Sequence, residues 1–201
     1  MIAVIDYGAG NLHSVQNALN HLGAENVISS DPEVILRADR VILPGVGAFG
    51  DAMAAMRKSG LDQVVRQCAE EDTPLLGICL GLQLLFEKSE ETPGVPGLGI
   101  FQGEFLKIPE KPGLKIPHIG WNDLTFPAPS RMFEGIGAHP YVYFVHSYYL
   151  NTPEREIVSA YTDYGTRLPV AVERKNVFAM QFHPEKSGAV GMKILENFLR
   201  V

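Results

Sequence analysis

The segment Gly77-Ile78-Cys79-Leu80-Gly81 sets a cysteine between two glycines, with an apolar run before it and a leucine-rich stretch after it. The spacing is that of a G-x-nucleophile-x-G elbow with cysteine in the place of serine. A nucleophile on a sharp strand-to-helix turn holds a strained backbone conformation, so its neighbours must be small. The amide dipoles of the helix that follows favour the thiolate, the reactive form. The second cysteine, Cys68, lies on an amphipathic stretch and reads as a small buried hydrophobe.

A thiolate nucleophile needs a base. Among six histidines, His183 alone stands at a strand end followed by a helix-blocking proline and an acid, in Gln181-Phe182-His183-Pro184-Glu185-Lys186-Ser187. On extended backbone His183 and Glu185 leave the same face, where the carboxylate can fix the imidazole tautomer and support its charge. The expectation is a Cys79, His183, Glu185 triad; the alternative for Glu185 is a charge near the start of a helix capped by Ser187. Attack on an amide makes a tetrahedral oxyanion that backbone N–H groups can stabilise. Leu80 N–H is one candidate donor, and the turn Pro44-Gly45-Val46-Gly47, with Val46 and Gly47 at its tip, is the candidate for the second. A plain strand-ending turn is the competing reading there.

Metal chemistry is not expected. His-x-Glu occurs in zinc deaminases, which also need a downstream Pro-Cys-x-x-Cys, and no cysteine follows Cys79. His13, His21, His118, His139 and His146 show no ligand spacing and read as surface or packing residues. No cofactor is implied.

The elements that must carry these residues alternate through the first half. Ile2 to Asp6 reads as a strand, followed by a glycine turn and a helix with Leu12, Val15, Leu19 and Leu22 on one face. Val27-Ile28, Arg40 to Leu43 and Pro74 to Ile78 read as further strands. Helices are expected after Asp31-Pro32 and at Asp51 to Lys58, Leu61 to Glu70 and Leu80 to Glu87. After a loop at Ser89 to Gly99, strands dominate: Ile100 to Leu106, Asn122 to Phe126, Tyr141 to His146, Ile157 to Tyr161, Pro169 to Glu173 and Val177 to Gln181. The last two are joined by an Arg174-Lys175-Asn176 turn, and a final helix runs from Ser187 through Leu199. The pattern predicts one domain over 1–201: an α/β, doubly wound, mostly parallel central sheet with antiparallel additions in the C-terminal half. Its ligand belongs at the carboxyl ends of the parallel strands.

Composition agrees with a folded enzyme-sized domain. The chain has 201 residues, 46% apolar and 20% charged, which excludes a disordered or fibrous chain. Seventeen Lys and Arg against 23 Asp and Glu leave a net charge of −6 with no basic run, which argues against nucleic acid or an anionic membrane as partner. Two cysteines are too few for a disulfide scaffold, there is no signal-peptide pattern, and no apolar stretch nears the roughly 20 residues that span a bilayer. The reading is a reducing cytoplasm.

Gly77 to Gln83, the Pro44 to Gly47 turn and His183 to Ser187 together resemble the class I, triad-type glutamine amidotransferases, which have a flavodoxin-like fold. Three further strings, Asp6-Tyr7-Gly8-Ala9-Gly10-Asn11-Leu12, His118-Ile119-Gly120-Trp121-Asn122 and Tyr143-Phe144-Val145-His146-Ser147-Tyr148, are most similar to the branch that serves imidazole glycerol phosphate synthases. Leu82 and Ile119 stand where that branch has methionine, both conservative departures. The resemblance implies that Cys79 attacks the side-chain amide of L-glutamine, that His183 protonates departing ammonia, and that water releases glutamate from the thioester. Val46 and Leu80 would supply oxyanion N–H groups. Gln83, Ser147 and Tyr148 would bind glutamine, the last two through their backbones. Ammonia would pass to a cyclase subunit in a heterodimer, with Asn11, Trp121, Tyr143 and Lys186 toward that partner; for Trp121 and Tyr143 a core position is the alternative. A glutaminase of another synthase, a free-standing γ-glutamyl hydrolase and a flavodoxin-like binding module are the rival readings.

Overall fold

A computed structural model describes every residue of the chain except Ala9. Four parallel strands, β1 (Ile2–Ile5), β2 (Asn26–Ser29), β3 (Arg40–Leu43) and β4 (Leu75–Ile78), build the first half of a seven-stranded sheet. Strand β12 (Val177–Met180) joins β4 in parallel, and β11 (Arg167–Arg174) and β10 (Val158–Asp163) extend the sheet antiparallel, giving the order β10-β11-β12-β4-β3-β1-β2. Strands β1 and β4 are apolar at every position and buried throughout, as parallel strands covered on both faces must be.

Alternate strand residues feed two cores. Ala3, Ile5, Val41 and Leu43 face α3 (Phe49–Ser59), α4 (Leu61–Glu70) and α5 (Leu80–Leu84), which contribute Phe49, Met53, Met56, Val65 and Leu84. Ile2, Val4 and Ile42 face the opposite side, where α1 (Leu12–His21) and α6 (Gly188–Phe198) contribute Val15, Leu19, Ile194, Leu195 and Phe198. The short α2 (Pro32–Leu36) starts as expected: the Asp31 carboxylate accepts from Glu33 N at 2.9 Å and Pro32 occupies the first turn.

Several boundaries differ from expectation, each for a local reason. The helix after Cys79 stops at Leu84 rather than Glu87, because Leu98 N, Ile100 N and Gly99 N take the carbonyls of Leu84, Leu85 and Phe86 at 2.8, 2.8 and 3.1 Å. The same bonds delay the strand expected at Ile100; β6 (Glu104–Lys107) begins only after Gly103, whose φ is +132°. It pairs with a short β5 (Lys88–Ser89) and with β9 (Tyr148–Asn151), neither of which the pattern predicts. The strand expected at Asn122 to Phe126 lies earlier, as β7 (His118–Asp123), paired antiparallel with β8 (Tyr141–His146). Beyond Asp123 the chain leaves β8, and Thr125 bridges to Tyr161 of β10 instead. The β11–β12 turn is tighter than expected: Arg174 pairs with Val177, leaving Lys175 (φ +53°) and Asn176 as the turn. Ser187 is not a side-chain cap of α6. Its hydroxyl donates to His183 O at 2.6 Å and accepts from Tyr143 N at 3.0 Å. Among the described residues no helix is long and apolar enough to cross a membrane.

Candidate active site

Strand β4 ends in a sharp turn at Cys79, whose φ of +56° and ψ of −108° lie where a residue with a Cβ rarely sits. The flanking glycines make this turn possible. A Cβ on Gly81 would stand 1.8 Å from Leu43 O, and one on Gly77 would stand 3.0 Å from the Gly81 carbonyl. The start of α5 therefore packs directly on backbone, with Cys79 at its N-terminus and Cys79 N held by Met180 O at 2.8 Å.

The neighbouring strand supplies the base. Chain leaving β12 passes through Gln181 to His183, whose N–H is held by Tyr143 O at 3.0 Å. His183 Nδ1 meets Glu185 Oε1 at 2.8 Å. The extended backbone expected between them is not what joins them: Pro184–Lys186 is a 3-10 turn, closed by Lys186 N on His183 O at 3.0 Å, and it folds the carboxylate back onto the ring. Asn11 Nδ2 donates to the same Oε1 at 2.5 Å, while Glu185 Oε2 is buried without a partner. His183 Nε2 makes no hydrogen bond of good geometry and faces the Cys79 sulfur. Burial alone would lower the His183 pKa, but attraction to Cys79 and then Glu185 outweighs it and raises the ring to about 9. The imidazole therefore holds a proton at neutral pH, available to a leaving group.

These side chains open on a cavity of about 320 Å³ lined by Cys79, His183, Val46, Gly47, Leu80, Gln83, Ser147 and Tyr148, among others. All the residues named above for nucleophile, base, oxyanion and glutamine roles reach it or, like Glu185, stand directly behind it. A larger groove of about 710 Å³ near Phe126, Arg131 and Glu173 lies elsewhere and is lined by no cysteine or histidine. Gln83 Nε2 donates to Gln181 Oε1 at 3.1 Å, and Gln181 Nε2 points at Cys79 Sγ at 3.6 Å. Sequence reasoning missed Gln181; its signal was a glutamine at the mouth of an apolar strand, two residues before His183.

Leu80 N–H is engaged in this structure: it donates to Gly45 O at 3.3 Å, since the first amide of α5 has no intrahelical partner and takes the nearest carbonyl. Gly47, at φ +103°, and exposed Val46 complete this turn. Beneath it lies Tyr7, a second residue the sequence reading passed over. Its hydroxyl is buried and unpartnered, and a Cβ on Gly45 would stand 2.2 Å from it. Burial first, then the charge of Cys79, pushes the phenol pKa up.

Of the residues expected to face a partner, Trp121 is 54% exposed, which removes the core alternative for it, and it meets Tyr143 edge-on at 6.1 Å. Lys186 is exposed. Asn11 is half-buried, with its amide turned onto Glu185. Among the described residues no cluster of His, Cys, Asp or Glu is placed to hold a metal.

The family model "Glutamine amidotransferase class-I" matches residues 3–201. The chain is 49% identical over 205 residues to imidazole glycerol phosphate synthase subunit HisH 1 of Methanococcus maripaludis, covering all of both chains. It is 51% identical over 197 residues to subunit HisH of Moorella thermoacetica, covering 98% of this chain and 93% of that one. Among solved structures it superposes on a glutamine amidotransferase with a TM-score of 0.77 at 23% identity, covering 100% of this chain and 98% of the other. PurLQS from Thermotoga maritima gives 0.75 at 22%, covering 99% and 97%. At these identities the structural likeness speaks for the fold alone.

Proposed function

The chain belongs to the class-I glutamine amidotransferases, and on that premise we propose that it is the glutaminase subunit of an imidazole glycerol phosphate synthase in histidine biosynthesis. The observation that carries the chemistry is the convergence of Cys79, His183 and buried Glu185 at one cavity from two adjacent strands. The Cys79 sulfur attacks the glutamine carboxamide carbon. His183, charged and oriented by Glu185, gives its proton to the departing nitrogen, so ammonia leaves and a γ-glutamyl thioester remains. Water, deprotonated by the then-neutral His183, attacks the thioester and glutamate departs. Gln83 and the Ser147-Tyr148 backbone hold the substrate.

The Leu80 to Gly45 hydrogen bond supports a resting state in which the oxyanion site is closed. Turning the peptide at Val46 away from Leu80 would free one N–H and present a second, and Gly45 and Gly47 on either side permit that rotation. We assign the opening to a docked cyclase subunit with its nucleotide ligand bound, with Trp121, Tyr143 and Lys186 on the docking side. Residues 1–201 act as one domain, working in the cytoplasm. The test is copurification with a cyclase subunit, then steady-state kcat for glutamine hydrolysis by the chain alone, with cyclase, and with cyclase plus ligand. Rising values support the reading; three equal values remove the switch and leave the triad. Cys79→Ala should abolish glutamine-dependent synthesis by the complex and spare ammonia-dependent synthesis.

A further inference from the structure

Two histidines outside the triad, His118 and His146, are buried at 2% and 5% exposure beside the cavity and meet at 3.0 Å through His118 Nδ1 and His146 Nε2. Their protons can be assigned from their partners. His146 Nδ1 lies 2.8 Å from Tyr148 O, and a carbonyl can only accept, so Nδ1 carries the hydrogen. Burial, with the charges of His118 and His183 added, lowers the His146 pKa to about 3, so the ring is neutral and Nε2 is a bare lone pair. His118 Nδ1 must then be the donor. Burial holds His118 at about 4, so its Nε2 is in turn an acceptor, and Asn122 Nδ2 faces it at 3.5 Å. The Asn122 amide is fixed as well: Oδ1 accepts from Asp123 N at 3.0 Å, and the other Nδ2 hydrogen goes to Asp163 O at 3.0 Å. Stacking holds the middle of the chain, with the His118 ring between Tyr164 at 3.8 Å and Phe144 at 4.7 Å.

We infer that the Asn122-His118-His146 chain of hydrogen bonds, all running in one direction, is a positioning device that sets the Tyr148 carbonyl and with it the Ser147-Tyr148 backbone proposed to hold glutamine. The location supports this. His146 ends β8 and Tyr148 begins β9, strands of different sheets, so Ser147 alone makes the corner. The His146 side chain reaches round that corner, while Ser147 O is tied to Ile108 N at 2.9 Å. With both groups pinned, the corner cannot rotate, and its amides keep one direction toward the cavity. The inference rests on the glutaminase reading for its substrate, but the proton assignment does not.

Two measurements on the full chain test it. Long-range ¹H–¹⁵N correlation at neutral pH should show His118 and His146 both neutral with the proton on Nδ1, the less common tautomer; a charged ring, or His146 carrying its proton on Nε2, overturns the chain. His118→Phe keeps a ring between Tyr164 and Phe144 but donates nothing, and should raise KM for glutamine roughly tenfold, the loss of one buried hydrogen bond, with kcat little changed. His118→Asn restores an N–H near the Nδ1 position and should bring KM back toward wild type. Unchanged KM in His118→Phe, or no recovery in His118→Asn, overturns the positioning role. Absence of glutaminase activity in the wild-type complex would instead strike the functional reading, and the tautomers would still decide whether the chain exists.

Discussion

His183 and Glu185 meet at 2.8 Å with neither side chain more than 1% exposed, so the ion pair is formed out of reach of solvent. Against burial, which lowers it, Cys79 and then Glu185 hold the pKa of the folded ring at about 9, compared with about 6.5 in an unfolded chain. A raised pKa means the folded state binds the proton more tightly. The stabilisation is therefore complete below about pH 6.5 and fades as pH rises through about 9. Glu185→Gln should lower the denaturation midpoint at pH 6 by more than at pH 10. Curves for the two proteins that stay parallel from pH 6 to 10 would show that the charge of the pair contributes nothing to stability.

His183→Ala should reduce glutamine-dependent kcat by roughly three orders of magnitude or more, since it removes the proton donor itself. Glu185→Ala should cost less, because it removes only the group that orients and charges the ring. Pre-steady-state acylation rates separate the two. A Glu185 variant as inactive as the His183 variant would mean that the carboxylate does more than orient.

Gly45 and Gly47 should not behave alike. An alanine Cβ at Gly45 runs into the Tyr7 hydroxyl and into Leu80, so Gly45→Ala should lower stability first. At Gly47 there is open space, but φ is +103°, so Gly47→Ala should stiffen or shift the turn. Its expected effect is a several-fold change in partner-stimulated kcat with glutamine KM nearly constant. A change confined to KM would place the effect in binding rather than in opening of the oxyanion site.

Tyr7→Phe removes a buried hydroxyl that has no partner, and should stabilise the isolated chain by about 1 kcal/mol, the scale of an unsatisfied buried polar group. Chemical denaturation measures it. Destabilisation of similar size would show that the hydroxyl is satisfied in solution, with the turned peptide at Gly45 or Val46 as its nearest candidate partner.

Lys186 is exposed next to Glu185. Lys186→Ala should weaken association with the cyclase about threefold to tenfold at low salt and flatten the salt dependence of Kd. Equal Kd for variant and wild type across a salt series would make Lys186 a solvated bystander.

The parallel half of the fold was legible because its signals are local. Continuous apolar runs such as Ile2–Ile5 and Leu75–Ile78, punctuated by glycine turns, can be little else. The small sheets were harder. Strand β5 has two residues, and β9 begins one residue after β8 ends, so neither leaves a gap that periodicity could register. Candidate site residues with a chemical identity, Cys79, His183 and Glu185, could be read from type and spacing. Tyr7 and Gln181 carry no chemistry by type alone, and their relation to Cys79 exists only when the sheet brings the ends of β1, β4 and β12 to one edge. The engaged Leu80 N–H is likewise a matter of which carbonyl the fold brings nearest, and no spacing rule contains it.

Gln181 points at a sulfur 102 positions earlier in the chain, and β12, which delivers it, slots between β4 and the antiparallel strands β11 and β10. During synthesis, Cys79 emerges long before the segment that carries its proton donor. Until β12 is in place the elbow also lacks Met180 O, which holds Cys79 N at 2.8 Å, so the turn and its proton donor are completed by the same strand. A chain without β12 and the segment after it therefore carries the cysteine but neither the carbonyl that holds its backbone nor the imidazolium that serves it.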